Sequence, residues 1–94
     1  MAITFVSTGG NVVECTGTGV VTVNTWALSR IRYDSATASA ADECRITDTA
    51  GNIIFDSFAT GADWSDEIEL GKVPPILGIK IATLTSGNVK FYLR

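Results

Sequence analysis

An all-β fold, a small antiparallel β-sandwich or barrel of about eight short strands, follows from three features of this 94-residue sequence. Apolar and polar residues alternate with a period of two along almost its whole length, the pattern of half-buried strands. Clusters of Gly, Asn and Pro interrupt that alternation roughly every ten residues, the spacing of turns in sandwiches and barrels. No stretch offers the helical crossover that a parallel sheet requires.

The first strand is predicted over 2–7 (AITFVS), with Ile3, Phe5 and Ser7 on one face and Thr4 and Val6 on the other. Gly9-Gly10-Asn11 turns it into a second at 12–16 (VVECT). Gly17 and Gly19 break the chain before 20–24 (VVTVN), where Val21 and Val23 alternate with Thr22 and Asn24. Residues 26–34 (WALSRIRYD) set Ala27, Ser29, Ile31 and Tyr33 against Trp26, Leu28, Arg30 and Arg32. The second set mixes apolar and cationic side chains, which suits a rim or a subunit contact.

The small-residue run 35–41 is a loop. Residues 43–48 (ECRITD) form a strand with Cys44 and Ile46 inward and Glu43, Arg45 and Thr47 outward. Thr49-Ala50-Gly51-Asn52 folds it onto 53–58 as a hairpin, Gly and Asn standing where positive φ costs least. A loop at 59–65 leads to a short acidic strand at 66–70 (DEIEL). Pro74 and Pro75 have no N–H to give to a ladder and mark a corner. Residues 76–84 and 88–93 then read as a closing hairpin about Ser86-Gly87-Asn88, with Leu77, Ile79 and Ile81 opposing Val89, Phe91 and Leu93.

Length and composition predict one domain, 1–94, which buries about two-thirds of the surface of its unfolded chain. The net charge of −3 lacks the basic footprint of a nucleic-acid binder. No window approaches the ~20 apolar residues that span a membrane, and the N-terminus lacks the charged and apolar regions of a signal peptide. The chain is therefore expected to be made in the cytoplasm, with Cys15 and Cys44 as free, buried thiols rather than a disulfide. The sequence contains no histidine, which removes Ser-His-Asp and Cys-His nucleophile systems. Two cysteines without CxxC spacing do not make a zinc site. Gly17 and Gly19 are followed by a strand where a phosphate-binding helix would be required. No enzyme activity and no cofactor are expected.

The acidic cluster is the one constellation with chemical potential. Asp63, Asp66 and Glu67 lie within five residues, with Glu69 and Asp56 expected nearby on the same sheet. Carboxylate loops bind calcium, and carboxylate pairs hydrolyse glycosides. The spacing fits no EF-hand, however, and a chain of this size has little room for a glycoside cleft. A solvated acidic edge that discourages strand-to-strand aggregation is the better reading. Trp64 sits within the cluster as a lid over the core, an interface anchor or a sugar-stacking ring. Trp26 is a core or subunit-contact residue. Arg30 and Arg32, two residues apart on one face, either clamp the acidic segment 63–69 of another copy or pair across strands within the chain. The candidate interface residues are thus Trp64, Arg30, Arg32, Asp66 and Glu67.

Four stretches together carry a resemblance: a short strand after "MAI", the run "TGTGVVTVNT" (16–25), the hairpin "CRITDTAGNIIFD" (44–56) and the closing "GIKIATLTSGNVKFYLR" (78–94). The pattern resembles small structural proteins of tailed-phage virions, among them head-decoration (cement) proteins and small neck or tail components. The resemblance implies a non-enzymatic β-domain located in the virion. Its implied partners are the major capsid protein or another virion protein and further copies of itself, a trimer being one such assembly. A small carbohydrate-binding or receptor-binding module using Trp64 is the competing expectation.

Overall fold

The computed structural model describes residues 3–94, with only the backbone of 6–9. A first strand starting at Ala2, and the faces expected for Val6 and Ser7, lie outside the described residues. Among the described residues nine strands are present: β1 Thr4–Gly9, β2 Val12–Thr16, β3 Gly19–Trp26, β4 Leu28–Ser35, β5 Glu43–Thr47, β6 Ile53–Phe58, β7 Trp64–Glu69, β8 Ile76–Leu84 and β9 Asn88–Leu93. They form two antiparallel sheets packed together as a sandwich, ordered β1-β2-β9-β4-β7 and β3-β8-β5-β6. The sheets do not close into a barrel.

The core lies between the sheets. Cys15, Ile31, Tyr33, Val89 and Phe91 from the five-stranded sheet meet Cys44, Ile46, Ile79 and Ile81 from the four-stranded one, all without solvent exposure. Trp26 packs edge-on against Phe91, ring centroids 6.1 Å apart at 66°, a favourable aromatic geometry.

Alternation places most of these residues as expected, and local irregularities in the ladders account for most of the exceptions. On β3, Val23 and Asn24 stand opposite the single residue Gly78, because Thr22 pairs with Ile79 and Thr25 with Leu77. The extra residue breaks the phase of β3, so Val23 is 73% exposed, and on β8 the left-handed Gly78 (φ +77°) breaks the alternation so that Leu77, expected inward, is 67% exposed. Ser29 is the extra residue on β4 between Leu28 and Arg30. Leu28 therefore turns into the core while Arg30 and Arg32 stay outside. A third shift follows Ile46. Thr47 keeps its outward register against Lys80 but is covered by its neighbours, and its hydroxyl donates to the Asp48 carbonyl at 2.8 Å.

The expected closing hairpin is not one. β8 pairs with β3 and β5, whereas β9 pairs with β2 and β4. Residues 85–87 carry the chain from one sheet to the other, so Ile79 and Ile81 oppose Val89 and Phe91 across the core and not along a ladder. The same happens at Ala27: Trp26 ends β3, and β4 begins in the other sheet. The β5–β6 hairpin, by contrast, is as predicted. The Asp48 carboxylate accepts hydrogen bonds from Ala50 N, Asn52 N and Asn52 Nδ2 at 2.8–3.0 Å. Arg94 fastens the corner before β8 by donating to the carbonyls of Gly71 and Val73.

Candidate functional site

β7 divides the five candidate residues. Its side chains alternate, so Trp64, Asp66 and Ile68 turn inward while Ser65, Glu67 and Glu69 face solvent. Trp64, expected in a loop, is the first residue of this edge strand. Its ring packs against the core and its Nε1–H donates to Ser57 Oγ at 3.1 Å. Ser57 in turn donates to Asp66 Oδ2 at 2.8 Å. Ser57 belongs to β6, the edge of the other sheet, so this relay fastens the two sheets along one flank. Trp64 thus acts as the lid. Asp56, expected beside the acidic segment, lies in the other sheet.

Arg30, Arg32 and Glu67 come together on the outer face of the five-stranded sheet, within one chain. Register sets Arg32 directly opposite Glu67. Its Nη1 lies 3.0 Å from Glu67 Oε1, its Nη2 donates to Ser65 Oγ at 2.7 Å, and its Nε reaches both oxygens of Asp34. Arg30 reaches Glu67 Oε2 at 3.5 Å and lies over the Tyr92 ring, 4.2 Å from its centroid. Burial opposes charge on Asp34, but hydrogen bonds from Arg32 and Ser65 and the charges of Arg32 and Lys90 outweigh it and hold its carboxyl below the ordinary range. The Asp34 hydrogen bond raises the Arg32 guanidinium further still. Asn88 Nδ2 donates to Glu14 Oε2 at 2.9 Å on the same face. These arginines have their carboxylates at home, and the clamp on another copy is not needed to satisfy them.

The outer face of the four-stranded sheet is different. One row runs Val20, Lys80, Thr47, Ile53 across its strands, with Val20 45% and Ile53 58% exposed. Leu77 and Val23 extend this aliphatic end. At the other end Arg45 Nη2 lies 3.2 Å from both Glu43 Oε2 and Asp56 Oδ2, and exposed Phe58 stands opposite Glu43. A hydrogen bond shared with Asp56, then desolvation and the Asp56 charge, raise the Glu43 carboxyl above its usual range. Glu43 Oε2 and Arg45 Nε are buried without a hydrogen-bond partner.

Other reactive groups are few. Burial, aided by the Glu14 charge, pushes the Cys15 thiol up to about 11, and burial pushes Cys44 further. Both are free, buried thiols, far from thiolate character at neutral pH. At the crossover from β8 to β9, Ser86 Oγ donates to Asp42 Oδ2 at 2.8 Å and meets Ser35 Oγ at 2.8 Å, with the Tyr33 hydroxyl 3.4 Å away. Nothing in the alternation flagged this cluster, because its members come from three separate segments. It holds the crossover in place, with the Asp42 carboxylate accepting from Ser86. Among the described residues, no three His, Cys, Asp or Glu side chains gather as a metal site, and no cavity suited to a small molecule opens. No protein-family model, curated protein or solved structure matches this chain.

Proposed function

We propose that this chain is a non-enzymatic structural component of a virion, a decoration protein that binds and stabilises the head shell. The observation that carries the reading is the distribution of apolar surface. Seven large apolar side chains are exposed among the described residues: Phe5, Val20, Val23, Ile53, Phe58, Val73 and Leu77. Five of them lie on strands of the four-stranded sheet, while the outer face of the other sheet is laced with paired charges. Exposed apolar side chains concentrated on one face mark a contact site. The resemblance of the sequence to small virion proteins supplies the kind of partner. The unactivated thiols and the absence of histidine support a role in contact and not in turnover. The carbohydrate-binding alternative loses its main support, because Trp64 packs inward with its indole N–H already engaged.

The test is co-sedimentation of the purified chain with heads assembled from tailed-phage major capsid proteins. Saturable binding that lowers shell loss on heating is the expected result. Binding to isolated neck or tail parts in place of heads would move the chain along the particle. Failure to bind any virion component refutes the reading.

A further inference from the structure

We propose that the outer face of the four-stranded sheet is a self-association surface, on which two copies of this chain meet face to face and bury Val20, Ile53 and Leu77 between them. This interface rests on the reading of the chain as an assembly component and specifies its first partner. Three observations select a second copy.

The first is charge. Across β3, β8, β5 and β6 the only charged residues are Lys80, Glu43, Arg45 and Asp56, two cations and two anions. The face is therefore electroneutral, and the whole −3 of the chain resides elsewhere. Two identical acidic molecules repel across any surface that shares this excess, and least across the one that does not. The second is self-complementarity. In a two-fold contact the same patch serves both partners, so Val20, Ile53 and Leu77 are matched by their own counterparts, while Lys80, which lies between Val20 and Ile53 in the row, keeps its ammonium at the solvated rim. The five-stranded sheet cannot serve equally well, since its arginines already pair with Glu67 and Asp34. The third is area. The four strands hold 8, 9, 5 and 6 residues, which at ~4.8 Å spacing and ~3.3 Å rise give a projected face on the order of 450 Å². Side-chain relief enlarges it to the size of a weak, concentration-dependent contact, below the ~800 Å² per partner of a standard interface. The neighbouring edge of β3 is a poorer docking site, because its two register shifts disrupt the ladder a second strand would need.

Sedimentation equilibrium from micromolar to near-millimolar concentration tests the interface. The wild-type chain should form a dimer. The double variant Ile53→Lys/Leu77→Lys brings like charges together across the two-fold and should weaken dimerisation about 100-fold or more. Circular dichroism and the melting midpoint of the monomer report whether that variant keeps its fold. Glu69→Lys, on the outer face of the other sheet, should leave the dimer unchanged. Methyl NMR of the wild-type chain needs no variant: Val20, Ile53 and Leu77 signals should shift with concentration, and those of Val12 should not. A monomer at every concentration overturns the proposal, as does a dimer indifferent to Ile53 and Leu77. A wild-type monomer that still binds heads overturns the dimer and leaves the virion reading standing. A dimer that binds no virion component does the reverse.

Discussion

Gly87 offers the sharpest test of how the two sheets are joined. It lies in the crossover from β8 to β9 with φ +82°, and its carbonyl accepts a hydrogen bond from Thr16 Oγ1 at 3.1 Å. A Cβ added here would collide with the Asp34 carbonyl oxygen and sit 2.6 Å from Ser35 Cβ and 2.8 Å from Ser35 Cα. These atoms belong to β4, and the backbone groups among them cannot swing aside. Gly87→Ala therefore carries two costs: about 1–2 kcal/mol for the left-handed backbone and about 1–3 kcal/mol for overpacking. Reduced freedom of the unfolded chain returns about 0.4–1 kcal/mol. The net loss is roughly 2–4 kcal/mol, a large part of the ~5–14 kcal/mol expected for a chain this long. At ~4–8 °C per kcal/mol the melting midpoint should fall by about 8–32 °C. Gly51→Ala is the matched control, because its φ is also positive (+97°) but its Cβ would meet nothing within 4 Å. It should cost about 1 kcal/mol through the backbone alone. Urea titration followed by tryptophan fluorescence measures both variants. Equal losses for the two would show that the crossover does not press against β4, and the steric reasoning would fail.

Ser57→Ala leaves the Trp64 N–H without an acceptor and Asp66 Oδ2 without its donor, so stability should drop by about 1–3 kcal/mol; Trp64→Phe should reduce the effect of adding Ser57→Ala, and strict additivity of the two would argue against a relay. The native chain should resist a thiol reagent at pH 8, because Cys15 titrates only at about 11 and Cys44 higher still, and both should react once guanidinium unfolds it; rapid native labelling would contradict their burial. The Asn52 side chain first, and backbone donors of the turn after it, hold the Asp48 carboxyl below its ordinary value. A depressed folded pKa means stability that is complete above the unfolded value, about 3.9, and lost as pH falls through the folded one. Asp48→Asn should therefore flatten the acid limb of the stability curve, and an unchanged limb would exclude this contribution.

Much of the fold is legible in the sequence because each β-residue leaves a local signature. Val12, Glu14 and Thr16 against Val13 and Cys15, or Arg45 between Cys44 and Ile46, mark their faces without any knowledge of partners. The Asp48–Asn52 turn is equally local, since its donors and acceptor lie within five residues. Sheet membership is not local. A short Ser-Gly-Asn link serves a hairpin and a crossover alike, and only the fit of β9 between β2 and β4 decides. Bulges, and the break at Gly78, are hidden for the same reason, which is why Leu28, Val23 and Leu77 stand on unexpected sides. Trp64 reads as lid, interface anchor or stacking ring in the sequence, because its neighbours, Asp63 and Ser65, are polar and say nothing of what lies beneath it. The residue that receives its N–H, Ser57, lies on another strand in the other sheet. Arg30 and Arg32 announced an ionic contact, but their partner's place, in this chain or in another, depended on β7 lying beside β4.

The position of β9 has a consequence for how the protein comes into being. It is the middle strand of its sheet yet follows β2 and β4 by more than fifty residues, so neither of them gains this neighbour until that length of chain has been made. Only β1–β2 and β5–β6 join neighbours in sequence, so these two hairpins can form early while every other ladder waits for distant chain. Such a topology places acquisition of the native state in the millisecond-to-second range, and the aliphatic strands stand uncovered until β8 and β9 have joined their sheets.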